Sequence, residues 1–432
     1  MTKETTQNLA RPLTLALGAT TCMWVFAYMA LLFSGQAGGE VLFVLSALCI
    51  PFFARSALTK REGALVGSIS AVINLLLIGS IVGGKAPSEM AMLGTIWLLS
   101  LFTVSIVLGI IGASLRNTSL TSEQQPDWEY AFFIVASALV FLMLVTGGLV
   151  TGMEAGLAVP DWPNSYGHNM LLYPLTEMVS PENEGVFFEH AHRLTGMFVG
   201  LTSLMMIFCA FRWSQSKAVR WLAILVFLLV CTQGLLGGLR VTGHLTLSQD
   251  RAILSPNLWI GVTHGVVGQL IFAGFVWLAV MLSPRWKNAE VASNTKDKWW
   301  AGLLVAAMVL QLILGALYRH MISDPELAAK ATHVLYTHIA VAVLVLVFAG
   351  IIGLRLVGRE NVTLKKCGLS VLILVGVQLL LGGGALIAVL LRDGTEIPLI
   401  EVLVTTAHQA NGALLLGASF ATYAWVKRMI ST

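Results

Sequence analysis

Four histidines in this chain share one local pattern. His192, His264, His338 and His408 each stand near the start of a long apolar run, and each is followed four residues later by glycine or alanine: Gly196, Gly268, Ala342 and Gly412. Their spacing repeats. His192 and His264 are 72 residues apart, His338 and His408 are 70 apart, and the second pair is displaced from the first by 146 and 144 residues. Such a period marks a duplicated unit with two histidines in each copy. An imidazole inside hydrocarbon is costly unless something compensates it. A haem iron held between two facing histidines is the simplest compensation, and helical bundles with inward-facing histidine pairs suit it. Two iron sites follow, His192 with His264 and His338 with His408. Zinc is the competing metal, disfavoured because three of the four histidines have no cysteine or carboxylate nearby.

One acid stands beside this set. Glu189 precedes His192 by three residues, so a helix reaching back that far puts both on one side, a turn apart. A carboxylate beside an iron suits a reaction that draws protons or positive charge from the macrocycle edge. It would also suit the first turn of a helix, where the dipole favours an anion. Arg193, Arg240, Arg319 and Arg392 fall on the same side of the membrane as the histidines, against the general charge bias. Arginine is a natural bidentate partner for haem propionates, although snorkelling to the interface would place it there too. His168, His244, His320 and His333 read as solvated or interfacial side chains. His190, two residues from His192, belongs to another helix face.

The elements that must position these groups are membrane helices. The chain has 432 residues, 57% hydrophobic and 11% charged, with mean hydropathy +0.82. Twelve apolar runs can span about 30 Å of hydrocarbon: about 12–33, 41–55, 63–83, 91–115, 130–152, 191–211, 219–242, 258–282, 299–319, 334–355, 368–391 and 403–426. The second is short and interrupted by Pro51. With both termini cytoplasmic, 19 of the 26 Lys and Arg residues fall on the inner side, as the positive-inside rule requires. The acids of the 153–190 loop (Glu154, Asp161, Glu177, Glu182, Glu184 and Glu189) fall outside. The net charge of +4 therefore reflects topology and points to no nucleic-acid partner. Residues 1–11 are polar and lead into a run too long for a signal-peptide core, an uncleaved first span. Five cysteines lie in or beside apolar segments with neither a CxxC pair nor a disulfide framework.

The polar stretch 117–129 divides the chain. Residues 1–116 form about four accessory spans without a histidine, and all nine histidines follow the linker. Residues 130–282 and 299–426 read as two pseudo-repeated four-helix halves, the whole an all-α polytopic membrane protein. Within the halves the spans come in pairs. The first member carries a glycine cluster: Gly147-Gly148, Gly237-Gly238, Gly315 and Gly382-Gly383. Three of these clusters read Gln-x-x-Leu-Gly, beginning at Gln233, Gln311 and Gln378. Small residues let membrane helices approach closely and equally leave room for a flat macrocycle. The second member opens with a key histidine.

Residues 130–426 resemble the haem A synthase family. The resemblance rests on Gly147-Gly148-Leu149-Val150-Thr151-Gly152-Met153-Glu154-Ala155-Gly156-Leu157, on Asp161-Trp162-Pro163, on Glu189-His190-Ala191-His192-Arg193, and on His264, His338 and His408. It implies oxidation of the C8 methyl of haem O to a formyl group by successive hydroxylation and loss of water. By position, His192 and His264 would ligate the substrate haem, while His338 and His408 would hold a permanent haem b that passes electrons. Glu189 would be the catalytic carboxylate. The resemblance implies haem O synthase and an electron donor or acceptor as partners, a bacterial cytoplasmic membrane with the haem sites toward its outer face, and a role in cytochrome oxidase biogenesis. A homo-oligomer is compatible but nothing selects it. Some relatives carry a cysteine pair in the outer loops; here 153–190 has none, so that redox role is missing. A di-haem b-type electron carrier or quinol-oxidising subunit would use the same four histidines, but has less use for Glu189 and the large loop. A secondary transporter with repeated halves would place ion ligands at mid-membrane, whereas these histidines gather toward one face.

Overall fold

All twelve expected spans form helices in the computed structural model, which describes residues 3–33, 37–116, 126–180, 182, 185–242, 258–323, 327–393 and 397–430. They are α1 (Lys3–Leu32), α2 (Ala37–Ala54), α3 (Lys60–Val82), α4 (Pro87–Ser114), α5 (Trp128–Gly152), α6 (Val186–Trp213), α7 (Lys217–Thr242), α8 (Leu258–Leu282), α9 (Thr295–Ile322), α10 (Ala328–Val357), α11 (Val362–Leu390) and α12 (Leu399–Arg428). Each has the length and apolarity to cross a membrane. The chain is an all-α polytopic integral membrane protein. His244 and 117–125 of the linker lie outside the described residues.

Helix starts run several residues ahead of the apolar windows, at Val186 for α6, Thr295 for α9 and Val362 for α11. Hydropathy finds the part in hydrocarbon, whereas helical hydrogen bonding continues to a cap. The Asn294 side chain accepts from Asp297 N, and the Asn361 side chain from Thr363 N and Leu364 N, satisfying donors the first turn leaves open. Pro51 does not break α2. The helix runs through it, with Arg55 N donating to the Pro51 carbonyl at 3.2 Å. There α4 presents Gly112, whose Cβ, if it had one, would stand 2.4 Å from that carbonyl.

The described residues form two compact units. The first comprises Met1–Leu139 and Ala158–Gln215, so α6 and the outer loop group with α1 to α4. Helices α3 and α4 meet where Gly63 and Gly67 face Gly109 and Ser105; a Cβ on Gly67 would lie 2.1 Å from the Ser105 carbonyl. Buried polar groups tie α1 to α3 through Thr20 Oγ1 donating to Ser70 Oγ and Trp24 Nε1 to Asn74 Oδ1, both at 2.8 Å. Such bonds hold membrane helices together where hydrophobicity gives no preference. The same α1 supports α6: Trp24 packs on Phe198 at 4.9 Å and Tyr28 OH donates to the Ala191 carbonyl at 3.3 Å. At the end of α3, Cβ atoms on Gly79 and Gly83 would stand 1.9 Å from the carbonyls of Leu171 and Leu172 in the outer loop. The N-terminal helices thus brace both α6 and the loop.

The second unit comprises Val140–Leu157 and Ser216–Thr432. Its dry core gathers at one end of the last four helices, where Leu304, Ala349, Ile352, Leu356, Leu364, Val371, Leu415 and Val426 are fully buried. Helices α10 and α11 touch there through Gly353 and Gly368. Beside them Asp297, with no exposure, pairs with Arg355 at 2.8 Å and with Arg359. Toward the histidine end Leu380, Leu390 and Leu391 of α11 are more than 70% exposed, while Glu401, Val402, Thr406 and Asn411 of α12 are buried.

Candidate functional site

His338 on α10 and His408 on α12 come together in the second unit. Their ring centroids are 6.4 Å apart and the planes cross at 73°. Each ring sits on a glycine of the preceding helix. A Cβ on Gly315 would be 3.0 Å from His338 Cε1, and one on Gly382 would be 3.0 Å from His408 Cε1. One turn before each glycine stands a glutamine whose amide reaches the ring. Gln311 Nε2 is 3.1 Å from His338 Nε2, and Gln378 Nε2 is 3.2 Å from His408 Nδ1 and 3.3 Å from its Nε2.

The His264 site follows this plan with one change. Its ring lies over Gly237, 3.2 Å from Cε1 to the Cβ position, but Gln233 Nε2 donates to the His264 carbonyl at 2.6 Å instead of meeting the ring. Of the two places the sequence allows His320, solvated or interfacial, the ring takes the less exposed. It is half-buried and lies flat over Gly261, with Cε1, Nδ1 and Nε2 all 3.0–3.1 Å from the Cβ position.

In the first unit α6 begins at Val186, so Glu189, His192 and Arg193 share its opening turns. Glu189 is buried and both its oxygens are engaged. Oε2 accepts from Val159 N at 2.7 Å, and Oε1 pairs with Arg193 Nη2 at 2.5 Å. The Arg193 fork also donates to the carbonyls of Val159 (2.9 Å), Asp161 (2.7 Å) and Asn164 (3.1 Å), stitching the outer loop to α6. The loop carries the hairpin β1 (Asn164–Ser165) and β2 (His168–Asn169). Its two central residues, Tyr166 and Gly167, both have positive φ, as a tight two-residue turn demands. The Asp161 carboxylate closes this turn by accepting from both backbone N–H groups at 2.7 Å. His190, fully buried, faces inward against Tyr173 at 5.0 Å and Ser165 at 3.3 Å. Burial, reinforced by Tyr166, Glu177 and Asp161, pushes the Tyr173 phenol up to about 12.

The remaining sequence candidates have protein partners. Arg319 donates to the Thr151 carbonyl at 2.5 Å and to Ser323 Oγ at 2.7 Å. Arg392 forms a two-pronged pair with Glu401, and that hydrogen bond raises its pKa above the ordinary arginine value. Arg240 lies against Gly156. His168 and His333 are exposed.

Residues missed by sequence reasoning are Gln311, Gln378, Gln233 and Asn411. The signal was present in Gln-x-x-Leu-Gly, where the glycine drew attention and the glutamine did not. Asn411, three residues after His408, donates to Gln378 Oε1 at 2.7 Å.

The donor set fits a haem. Two imidazoles on one metal, each bonded at about 2 Å, bring their ring centroids to about 6 Å apart, close to the separation of His338 and His408. His338 Nδ1, Gln311 Oε1, His264 Nδ1 and Gln233 Oε1 are buried without a hydrogen-bond partner among the described residues, and such orphaned atoms require an explanation in any native site. Residues 130–420 match the family model COX15-CtaA, described as cytochrome oxidase assembly protein. The chain is 29% identical to a heme A synthase of Beijerinckia indica over 46% of this chain and 60% of the relative. It is 27% identical to one of Bradyrhizobium diazoefficiens over 46% and 59%, and 24% identical to one of Caulobacter sp. over 71% and 97%. The matched stretch thus spans about three-fifths of the first two relatives. With the model matched across more than half its length, this chain belongs to the COX15-CtaA family of cytochrome oxidase assembly proteins.

Proposed function

We propose that this protein is a haem A synthase. It takes haem O as substrate and oxidises the C8 methyl to a formyl group by two hydroxylations and loss of water, each hydroxylation taking its oxygen from water and releasing two protons and two electrons, the electrons to an acceptor. The observation that carries the reading is the His338–His408 pair, with each ring seated on a glycine and met by a glutamine amide. These two residues would hold a permanent haem b, which supplies one-electron transfer when bound. His192 and His264 would ligate the substrate in the 130–282 half; they lie in different compact units, and their pairing rests on the sequence repeat. Residues 299–426 form the haem b half, and both termini face the cytoplasm of a bacterial cell.

Glu189 supplies the electrostatics. With Val159 N and Arg193 on its two oxygens it is a fixed carboxylate, better placed to stabilise positive charge growing at the methyl carbon than to receive a proton. Arg193, Arg240, Arg319 and Arg392 stand as propionate partners, with the forks of Arg193, Arg319 and Arg392 shared with protein groups they already hold.

The test is expression in cells that make haem O but not haem A, followed by haem extraction and mass spectrometry. Haem A or its hydroxylated precursor is expected. Haem B alone, with no conversion, would favour a di-haem electron carrier, and no haem would remove the ligand assignment.

A further inference from the structure

We infer that His320 belongs to the substrate site, where with Arg240 it holds a carboxylate, one propionate of the haem that His264 carries. The inference rests on the proposed function and adds a residue to it.

In the second unit, the ends of α5, α7 and α9 and the start of α8 are joined by a circuit of contacts. Arg319 of α9 donates to the Thr151 carbonyl of α5. His320, the next residue, lies over Gly261 of α8. One turn further along α8, the His264 ring lies over Gly237 of α7. One turn past Gly237, the Arg240 guanidinium lies against Gly156, just beyond α5, with Nη2, Cζ and Nη1 3.3–3.5 Å from its Cβ position. The circuit closes on the segment where it began. His264 thus stands one turn from a rim that carries Arg240 and His320, and the charge of Arg240 is close enough to act on both rings.

The groups that meet at this rim are positive. Arg240 and Arg319 both act on the His320 ring. That ring also covers the first turn of α8, the positive end of the helix dipole. Glu154, which pairs with Arg319 at 3.8 Å, is more than half exposed and offsets little of this charge. Like charges held together away from water repel, and an anion placed between them turns each contact favourable. A carboxylate suits the donors present. The Arg240 fork can meet both its oxygens, and an imidazole brings at least one N–H in either charge state. A haem bonded through its iron to His264 carries its propionates at the macrocycle edge, and one helical turn separates that ligand from the rim. The seating of His320 on a glycine resembles that of His264, so a role on the iron is the reading the experiment must separate from this one.

The experiment uses the full chain purified in detergent with its retained haem. It is titrated with a second equivalent of haemin or of haemin dimethyl ester, whose propionates are capped and uncharged. Absorbance follows binding, and His264→Ala marks the share that belongs to this site. His320→Phe keeps a flat ring over Gly261 and removes the N–H groups; His320→Ala serves if that variant does not fold. Each variant is compared with wild type within one porphyrin, which cancels differences in partition into detergent. Haemin affinity should fall about 10-fold in His320→Phe, the scale of one hydrogen bond to a charged group, while affinity for the ester stays at the wild-type level. Arg240→Leu should show the same split. Equal weakening of both porphyrins would mean that His320 acts on the iron or on packing, and would overturn the inference. Unchanged binding of both would overturn it as well. Either result leaves the proposed function standing, because wild type still takes a second haem at His264. A wild type without a His264-dependent second haem would overturn both.

Discussion

Glu189 and Arg193 form a buried pair whose members do different work. Removing the acid should leave the His338–His408 pigment intact while conversion of haem O falls about 100-fold or more, the scale on which a preorganised charge in a dry site acts. Full activity in Glu189→Ala protein would sink its catalytic role. Removing the base should be a structural injury. Arg193→Leu leaves a buried carboxylate unpaired and three loop carbonyls without their donor, a loss of about 3–5 kcal/mol that thermal unfolding in detergent should register. Arg193→Lys should not rescue it, because an ammonium cannot reproduce the planar fork that reaches Val159, Asp161 and Asn164 at once. The sequence set a condition for Glu189 and His192 to share a face, a helix reaching back past residue 189, and α6 begins at Val186. It could not disclose that Arg193 is engaged by the loop, because that contact joins residues about 30 apart through a turn whose closure depends on Asp161.

The helices are set by glycines at their crossings. Gly315→Val and Gly382→Val should each displace a histidine ring and abolish haem b absorption, whereas Gly376→Ala, with open space around its Cβ position, should keep it. Gly79→Leu tests the brace between α3 and the loop. Its side chain would collide with main chain at Leu171, so either helix or loop must move. Haem O conversion should then fall while the haem b spectrum survives. The twelve spans were legible because hydropathy reports length in hydrocarbon directly. The start of α6 was less so, because Val186 to His190 mixes apolar and polar residues and hydropathy cannot see a helix through them. The glutamines stayed silent for another reason. An uncharged amide within an apolar run looks like a tolerated polar residue until the ring it meets is in place.

For the molecule as a whole, charge asymmetry predicts orientation. A membrane-impermeant maleimide should label Tyr166→Cys in intact cells and Lys427→Cys only after permeabilisation; the opposite pattern would invert the topology. The role of residues 1–116 was not legible, since its evidence is a set of close approaches at Gly79, Gly83, Trp24 and Tyr28 that no local pattern encodes. The second unit carries a last consequence. Its final four helices meet at one end through the buried core, the Gly353–Gly368 approach and the Asp297 ion pairs, and carry the His338–His408 pair at the other. The bundle is thus joined by charge and close packing at the end away from the rings, so its stability and the ring pair can be perturbed separately.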